Sequence, residues 1–290
     1  MKIASVSKPN ELLAIHESIP EARVQLSGSK RPPINQISVI AHKRIASSLN
    51  QKIPLLSVIG TDDGRARILD TEYDPWRMIC SLIIRSPAGE MKGTGWFAGP
   101  QTVITAGHCV VDPVELGGWA NEIEVRPGRD GNEFPFGVIH SRNFSSIDAW
   151  EHDQNPDFDV GCIHLDTPIG ESTGWFGIST VPTSELRALK VNVAGYPEDR
   201  DSGVHLYHHQ NDVLHVSNNR IYYSADTGKG QSGAPVWIQE SASSVPIVIG
   251  IHAYGSAATP PRLKIEANSA VRINRDLISV IKDWRSISNA

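Results

Sequence analysis

The chain reads as all-β, built of antiparallel sandwiches or barrels and closed by one amphipathic helix. Three observations predict this. Short runs rich in Val, Ile and aromatic residues recur from residue 57 onward. Glycine and proline turns separate them. Only the last segment changes to helical spacing.

Taken in order, Trp76–Ile84 reads as a strand, as do Gly95–Phe97, Thr102–Thr105, Glu122–Arg126 and Val160–Leu165. Turns at Ser86-Pro87-Ala88-Gly89, Gly99-Pro100 and Pro127-Gly128 interrupt this first set. A second set follows at Val191–Ala194, Val213–Val216, Ile221–Ser224, Pro235–Ile238 and Ile247–His252. Many short strands with frequent turns favour antiparallel sandwiches or barrels. Over 273–286, Leu277, Ile278, Ile281 and Trp284 recur on one helical face, so a closing helix is expected there. No internal repeat is evident. Residues 1–56 differ in texture: they hold Lys30-Arg31-Pro32-Pro33, scattered polar residues and an amphipathic stretch near Ile37–Leu49. They read as a pro-segment or regulatory arm; the alternative is a few extra elements packed on the core.

At 290 residues the chain is long enough to bury one large core or two small ones. A net charge of −5 argues against a general nucleic-acid binder, which would carry a basic stripe. No apolar run approaches the roughly 20 residues of a membrane-spanning helix, so no membrane partner is expected. The first residues, Met1 to Glu11, contain no apolar core of a secretory signal. A cytoplasmic location is expected, with secretion as the alternative if a signal was removed. The three cysteines, Cys80, Cys109 and Cys162, are an odd number and do not make a disulfide framework. Cys80 and Cys162 lie in apolar strand-like runs and are expected as buried thiols. Reducing compartments rarely preserve disulfides, which agrees with the cytoplasmic reading.

Three local contexts carry chemistry. Thr105-Ala106-Gly107-His108-Cys109 presents a histidine after a glycine turn. Asp159 opens the run Asp159-Val160-Gly161-Cys162-Ile163-His164-Leu165. Gly230-Gln231-Ser232-Gly233 presents a serine between glycines. A serine hydroxyl needs an adjacent base to act as a nucleophile at neutral pH. Each context alone has an ordinary reading: a loop histidine, a strand start, a turn. Together, in the order His, Asp, Ser, they resemble the trypsin-like serine endopeptidases.

That resemblance implies a fold of two six-stranded antiparallel β-barrels with a C-terminal helix. The first barrel would span about 57–175 and the second about 176–272, within a protease domain of 57–290 that follows the 1–56 arm. It implies that His108 is the general base, Asp159 its orienting carboxylate and Ser232 the nucleophile. It also implies that the Gly230 and Ser232 N–H groups form the oxyanion hole. No cofactor or metal is expected; the partner is a protein or peptide substrate, with an activating protease or regulatory partner implied by the arm.

Further segments resemble one branch, the bacterial glutamyl endopeptidases. These are Val58-Ile59-Gly60-Thr61-Asp62-Asp63, Gly93-Thr94-Gly95-Trp96, Gly195-Tyr196-Pro197, Asp226-Thr227-Gly228, Gly250-Ile251-His252 and Asn268-Ser269-Ala270-Val271-Arg272-Ile273. In that branch the positions of Thr227 and His252 bind the substrate glutamate, a sensible pairing because a desolvated carboxylate needs donors. Asp226 stands where trypsin carries its Lys/Arg-binding Asp, so cleavage after Lys or Arg is the main alternative. The resemblance also implies a zymogen cut near Leu56, Ser57 or Val58. The sequence departs from the branch at Gly93, where a cysteine often pairs with the position of Cys109. His205, His208, His209 and His215 cluster in sequence, but no Cys pair or HExxH accompanies them, and polar surface or cleft positions are expected rather than a metal site. A silent protease-like binding module and a non-peptidase acyl hydrolase are competing classes. The first usually goes with a lost triad member; the second expects Gly-x-Ser-x-Gly in an α/β chain with His last.

Overall fold

A computed structural model describes residues 60, 62–241, 244–255, 259 and 261–288. The 1–56 arm, the stretch near Ile37–Leu49 and the candidate cleavage positions Leu56, Ser57 and Val58 lie outside the described residues.

The strands are β1 (Ala66–Arg67), β2 (Ile79–Ser86), β3 (Gly89–Gly99), β4 (Thr102–Thr105), β5 (Val111–Asp112), β6 (Gly118–Trp119), β7 (Glu122–Pro127), β8 (Ile139–Ser141), β9 (Asn143–Ser146), β10 (Gly161–His164), β11 (Gly177–Ile178), β12 (Lys190–Gly195), β13 (Tyr207–Val216), β14 (Arg220–Tyr223), β15 (Pro235–Ile238), β16 (Ile247–Tyr254) and β17 (Asn268–Arg272). The first barrel-like sheet runs β8-β7-β2-β3-β4-β10-β9 and is nearly closed. The second runs β13-β12-β15-β16-β17-β14 and closes on itself because β13 also pairs β14. β1 is added beside β13, and β11 runs parallel to β16. The expected strands appear, several longer than their apolar runs, except that Trp76–Met78 forms a 3-10 turn and the strand expected from Trp76 starts only at Ile79. β3 extends back through Gly89-Glu90-Met91-Lys92 because it follows β2 in register, Ile79 opposite Trp96 and Ser86 opposite Gly89. The polar half of β13 and the two-residue pairs β5 and β6 carry no apolar alternation, so sequence periodicity misses them.

Strand side chains alternate between faces, and here both faces are buried. Phe97, Val103 and Ile163 fill the first barrel, while their neighbours Trp96, Ile104 and Cys162 face a shared core. Val236 fills the second barrel, and its neighbour Trp237 faces that same shared core. Leu277, Val280, Ile281 and Trp284 of the C-terminal helix, Arg275–Ser288, cover the shared core. The helix starts after Asn274, whose Oδ1 accepts the Leu277 N–H at 2.9 Å as an N-cap. That cap places its start two residues beyond the expected 273. Among the described residues, no helix is long and apolar enough to cross a membrane.

Candidate active site

His108 sits on the 3-10 turn Gly107–Cys109 that follows β4. A Cβ at Gly107 would lie 2.5 Å from Trp150 Cδ1, so the turn passes the indole only as glycine. Asp159 is reached by another short turn, Pro156–Phe158, in which Asn155 Oδ1 caps the Asp157 N–H and Pro156 takes the first position. β4 and β10 pair directly, Thr105 opposite Gly161, and this brings the two turns together. Asp159 then accepts twice from one residue: the His108 N–H at 2.9 Å and His108 Nδ1 at 2.7 Å. Both side chains are buried. Burial opposes charge on His108, but the Asp159 carboxylate outweighs it and holds the imidazole well above its ordinary value of 6.5. The same burial works to raise Asp159, and the charge and hydrogen bonds of His108, with the Tyr254 hydroxyl, keep it below the usual Asp value. With Nδ1 donating to Asp159, the other nitrogen is free to accept. Nε2 is buried and has no hydrogen-bond partner among the described residues.

Ser232 belongs to the loop between β14 and β15. Its carbonyl accepts the Thr94 N–H at 2.9 Å, and Cys109 Sγ lies 3.8 Å from that carbonyl. Gly233 has φ +87°, and a Cβ there would collide with Thr105 Oγ1 and the Thr94 carbonyl and lie 2.8 Å from the Ala106 nitrogen. The serine turn therefore packs against the turn that carries His108. Gly230 has φ +92°, and a Cβ there would lie 2.5 Å from the Tyr196 carbonyl. Gly228 N–H donates to Gln231 Oε1 at 2.7 Å and Gln231 N–H to the Gly228 carbonyl at 3.1 Å, closing the loop internally. Among the described residues, the Gly230 and Ser232 N–H groups have no partner in these interactions.

Asp226, Thr227 and His252 separate in role. Gly60 N–H donates to Asp226 Oδ1 at 2.7 Å and Gly64 N–H to Oδ2 at 2.8 Å. The Asp226 N–H in turn donates to His209 Nδ1 at 2.8 Å. The carboxylate is buried and turned to the segment after residue 58, with both oxygens engaged. Thr227 is 0% exposed, and its Oγ1 has no partner among the described residues. His252, on β16, holds Tyr223 Oη at 2.7 Å from Nδ1. Burial raises the Tyr223 phenol well above 10, so it keeps its proton and donates to Nδ1. The imidazole proton then rests on Nε2. Burial first, then the positive charges of His108 and Arg220, push His252 down to about 3, so it is neutral near pH 7.

The trypsin family model matches residues 70–273. This chain is a member of the trypsin family. It is 33% identical over 259 residues to the glutamyl endopeptidase of Bacillus licheniformis, covering 87% of this chain and 76% of that protein. It is 31% identical over 230 residues to a Bacillus subtilis protein named extracellular metalloprotease, covering 79% of this chain and 69% of that one. The solved structure of a Glu endopeptidase in complex with MPD superposes with a TM-score of 0.68 at 24% identity, covering 79% of this chain and 99% of that one. The trypsin-family chain is thus a serine endopeptidase with a chymotrypsin fold, similar to the glutamyl endopeptidases.

Several residues that sequence reasoning gave no role hold the trypsin-family site together. Thr94 Oγ1 donates to the Gly230 carbonyl at 2.8 Å and accepts the Tyr196 N–H at 3.1 Å. Arg65 is buried against the Gly228 backbone and binds Asp63 and Asp199, at 2.8 and 2.5 Å in its ion pairs. Tyr254 packs its ring 6.1 Å from that of His108. Thr94, Tyr196 and Asp63 lie inside the motifs Gly93-Thr94-Gly95-Trp96, Gly195-Tyr196-Pro197 and Val58-Ile59-Gly60-Thr61-Asp62-Asp63, whereas Arg65, Asp199 and Tyr254 lie in none. The clustered histidines disperse. His205 binds Asp130, His208 binds Asn192 between Trp76 and Trp237, His209 serves Asp226, and the His215 ring lies tilted against Tyr222. Asp148, Glu151 and His152 bring ligand atoms within 4.8 Å of one another, a partly exposed acidic group on a one-turn helix. All three cysteines are free and buried. A Cβ at Gly93 would lie 3.1 Å from Cys109 Sγ.

Proposed function

We propose that this trypsin-family protease cleaves peptide bonds after glutamate, with His108, Asp159 and Ser232 as its catalytic triad. The observation that carries the specificity is the contrast between Thr227 and Asp226. A buried hydroxyl without a partner costs about 1–3 kcal/mol, and Thr227 Oγ1 is such a group. A substrate carboxylate would accept from Thr227 Oγ1 and from His252 Nε2. Asp226 already accepts from Gly60 and Gly64. That engagement favours this reading over cleavage after Lys or Arg.

In the mechanism, Ser232 Oγ attacks the carbonyl carbon after glutamate while His108 Nε2 takes its proton. The carbonyl becomes an oxyanion that accepts from the Gly230 and Ser232 N–H groups. Asp159 stabilises the imidazolium, which protonates the leaving amine as the bond to carbon breaks. Water repeats the sequence on the acyl-enzyme and restores Ser232. The chain is made as a zymogen cut near residue 57. The amides that hold Asp226 lie only a few residues beyond that point, so freeing the segment before them bears on the pocket.

A peptide library digested by processed protein tests the specificity. Cuts should follow Glu, with Asp second; cuts confined to Lys or Arg would reject it. A serine-directed probe should label processed wild type and leave Ser232→Ala unlabelled, and absence of labelling in folded, processed protein would reject the triad. Full activity of the intact chain would reject the zymogen.

A further inference from the structure

Arg220 is only 3% exposed, yet its hydrogen bonds go to neutral groups, the Pro156 carbonyl at 2.7 Å and Ser269 Oγ at 2.5 Å. Its guanidinium carbon lies 4.9 Å from the Tyr254 ring centroid and 6.0 Å from that of Tyr222. Nε has no partner among the described residues, and no described carboxylate forms an ion pair with it. A buried charge without a counter-ion is costly. Arg220 also lines a cavity of about 420 Å³ with Pro156, Asp157, Ser217, Asn219, Tyr222 and Arg262. Arg262 is exposed and adds a second cation. Among the described residues, Asp157 is the one acid in the lining, and its Oδ2 already accepts Asn219 Nδ2 at 3.3 Å.

The cavity adjoins the proposed catalytic groups. Pro156 and Asp157 lie on the turn that leads into Asp159. The Tyr254 ring lies 4.9 Å from the Arg220 guanidinium carbon and 6.1 Å from the His108 ring. Tyr254 also lies two residues past His252 on β16. Two residues of extended chain span about 7 Å. A peptide that seats its glutamate beside His252 and runs along this end of β16 would approach Tyr254, whose ring meets the cavity-lining Arg220, one to three residues earlier.

We propose that this cavity is a second anion-reading subsite, which takes an Asp or Glu side chain two to four residues before the cleaved bond, with Arg220 and Arg262 as its specificity-determining residues. The substrate class is then a peptide with two acidic side chains rather than one. The proposal rests on the endopeptidase reading, and its ligand is a carboxylate.

The test uses processed protein and peptides with Glu before the cleaved bond. Asp, Asn, Ala or Lys is placed in turn at the second, third and fourth positions upstream. At one of these positions Asp should exceed Asn in kcat/KM by about tenfold, the lower end for a hydrogen bond to a charged group. Arg262→Gln should reduce that ratio, and a folded Arg220→Gln should reduce it further. A purely structural Arg220 would change melting temperature and leave the Asp/Asn ratio alone. Equal rates for Asp and Asn at all three positions would overturn the proposal. So would an acidic preference that persists unchanged in Arg262→Gln, which decides the matter if Arg220→Gln does not fold. If cleavage follows a residue other than Glu, the glutamyl reading fails separately. The upstream series, rebuilt on that residue, still decides the subsite.

Discussion

The two barrels contribute opposite kinds of groups to the site. The first supplies His108 and Asp159, which satisfy each other at 2.9 and 2.7 Å and close off all but Nε2. The second supplies Thr227 Oγ1, which is left without a partner, and the Gly230 and Ser232 N–H groups, which are likewise open among the described residues. One side is a finished charged pair, and the other is a set of donors waiting for acceptors. The physical lesson is that a buried pair keeps a base in one orientation, whereas buried open donors gain most when an anion or a developing oxyanion arrives.

The comparison breaks most sharply at Asp159. Asp159→Asn should lower kcat by about 10⁴-fold, because the imidazole loses its tautomer and its counter-charge. Steady-state kinetics on a glutamyl peptide checks this. The pH profile sharpens it. The proposed base, His108, acts when neutral, so the rate of the wild type should rise with pH around a midpoint above 6.5. In Asp159→Asn the midpoint should fall, and an unmoved midpoint would separate the titration from this pair. Stability runs the other way: a raised histidine pKa contributes stability that is fully present below 6.5 and is lost as pH rises through the folded-state value.

A smaller effect is expected within the first barrel alone. In a disulfide, a Cβ stands about 3 Å from the far sulfur, and Gly93 offers 3.1 Å to Cys109. Gly93→Cys should therefore form a bond under oxidising conditions and add about 3 kcal/mol, the value for a loop of about 15 residues. Urea unfolding with and without reductant measures it. Smaller again is the second barrel's open hydroxyl. Thr227→Val should cost about tenfold in kcat/KM for a Glu peptide and much less for its Gln counterpart. Protein stability should hold or improve, because the buried unpaired oxygen is gone. Equal losses on both peptides would remove Thr227 from carboxylate recognition.

Much of this fold is visible in the sequence wherever strands are apolar. Thr102–Thr105 and Pro235–Ile238 have the bounds that their own residues suggest. Strands held by register alone escape, such as the polar start of β13 and the Gly89–Lys92 end of β3. At the site, the glycine contexts of His108 and Ser232 are legible because a tight turn needs glycine locally. Tyr223, Tyr254 and Arg65 are not legible. They are ordinary residues whose roles come from distant partners: Tyr223 acts on His252 from 29 positions away, and Arg65 reaches Asp199 across 134.

Sequence alone determined the residue types of the proposed triad, their order and the turns that present them, since these depend on propensities acting over a few residues. It left Asp226 open between two specificities. The tertiary structure decided that Asp226 faces Gly60 and Gly64, 166 and 162 positions away, while Thr227 beside it keeps an unpaired hydroxyl. The reason is geometric. Which of two neighbouring side chains meets a partner depends on how strands of a closed barrel are registered, and no local preference carries that information.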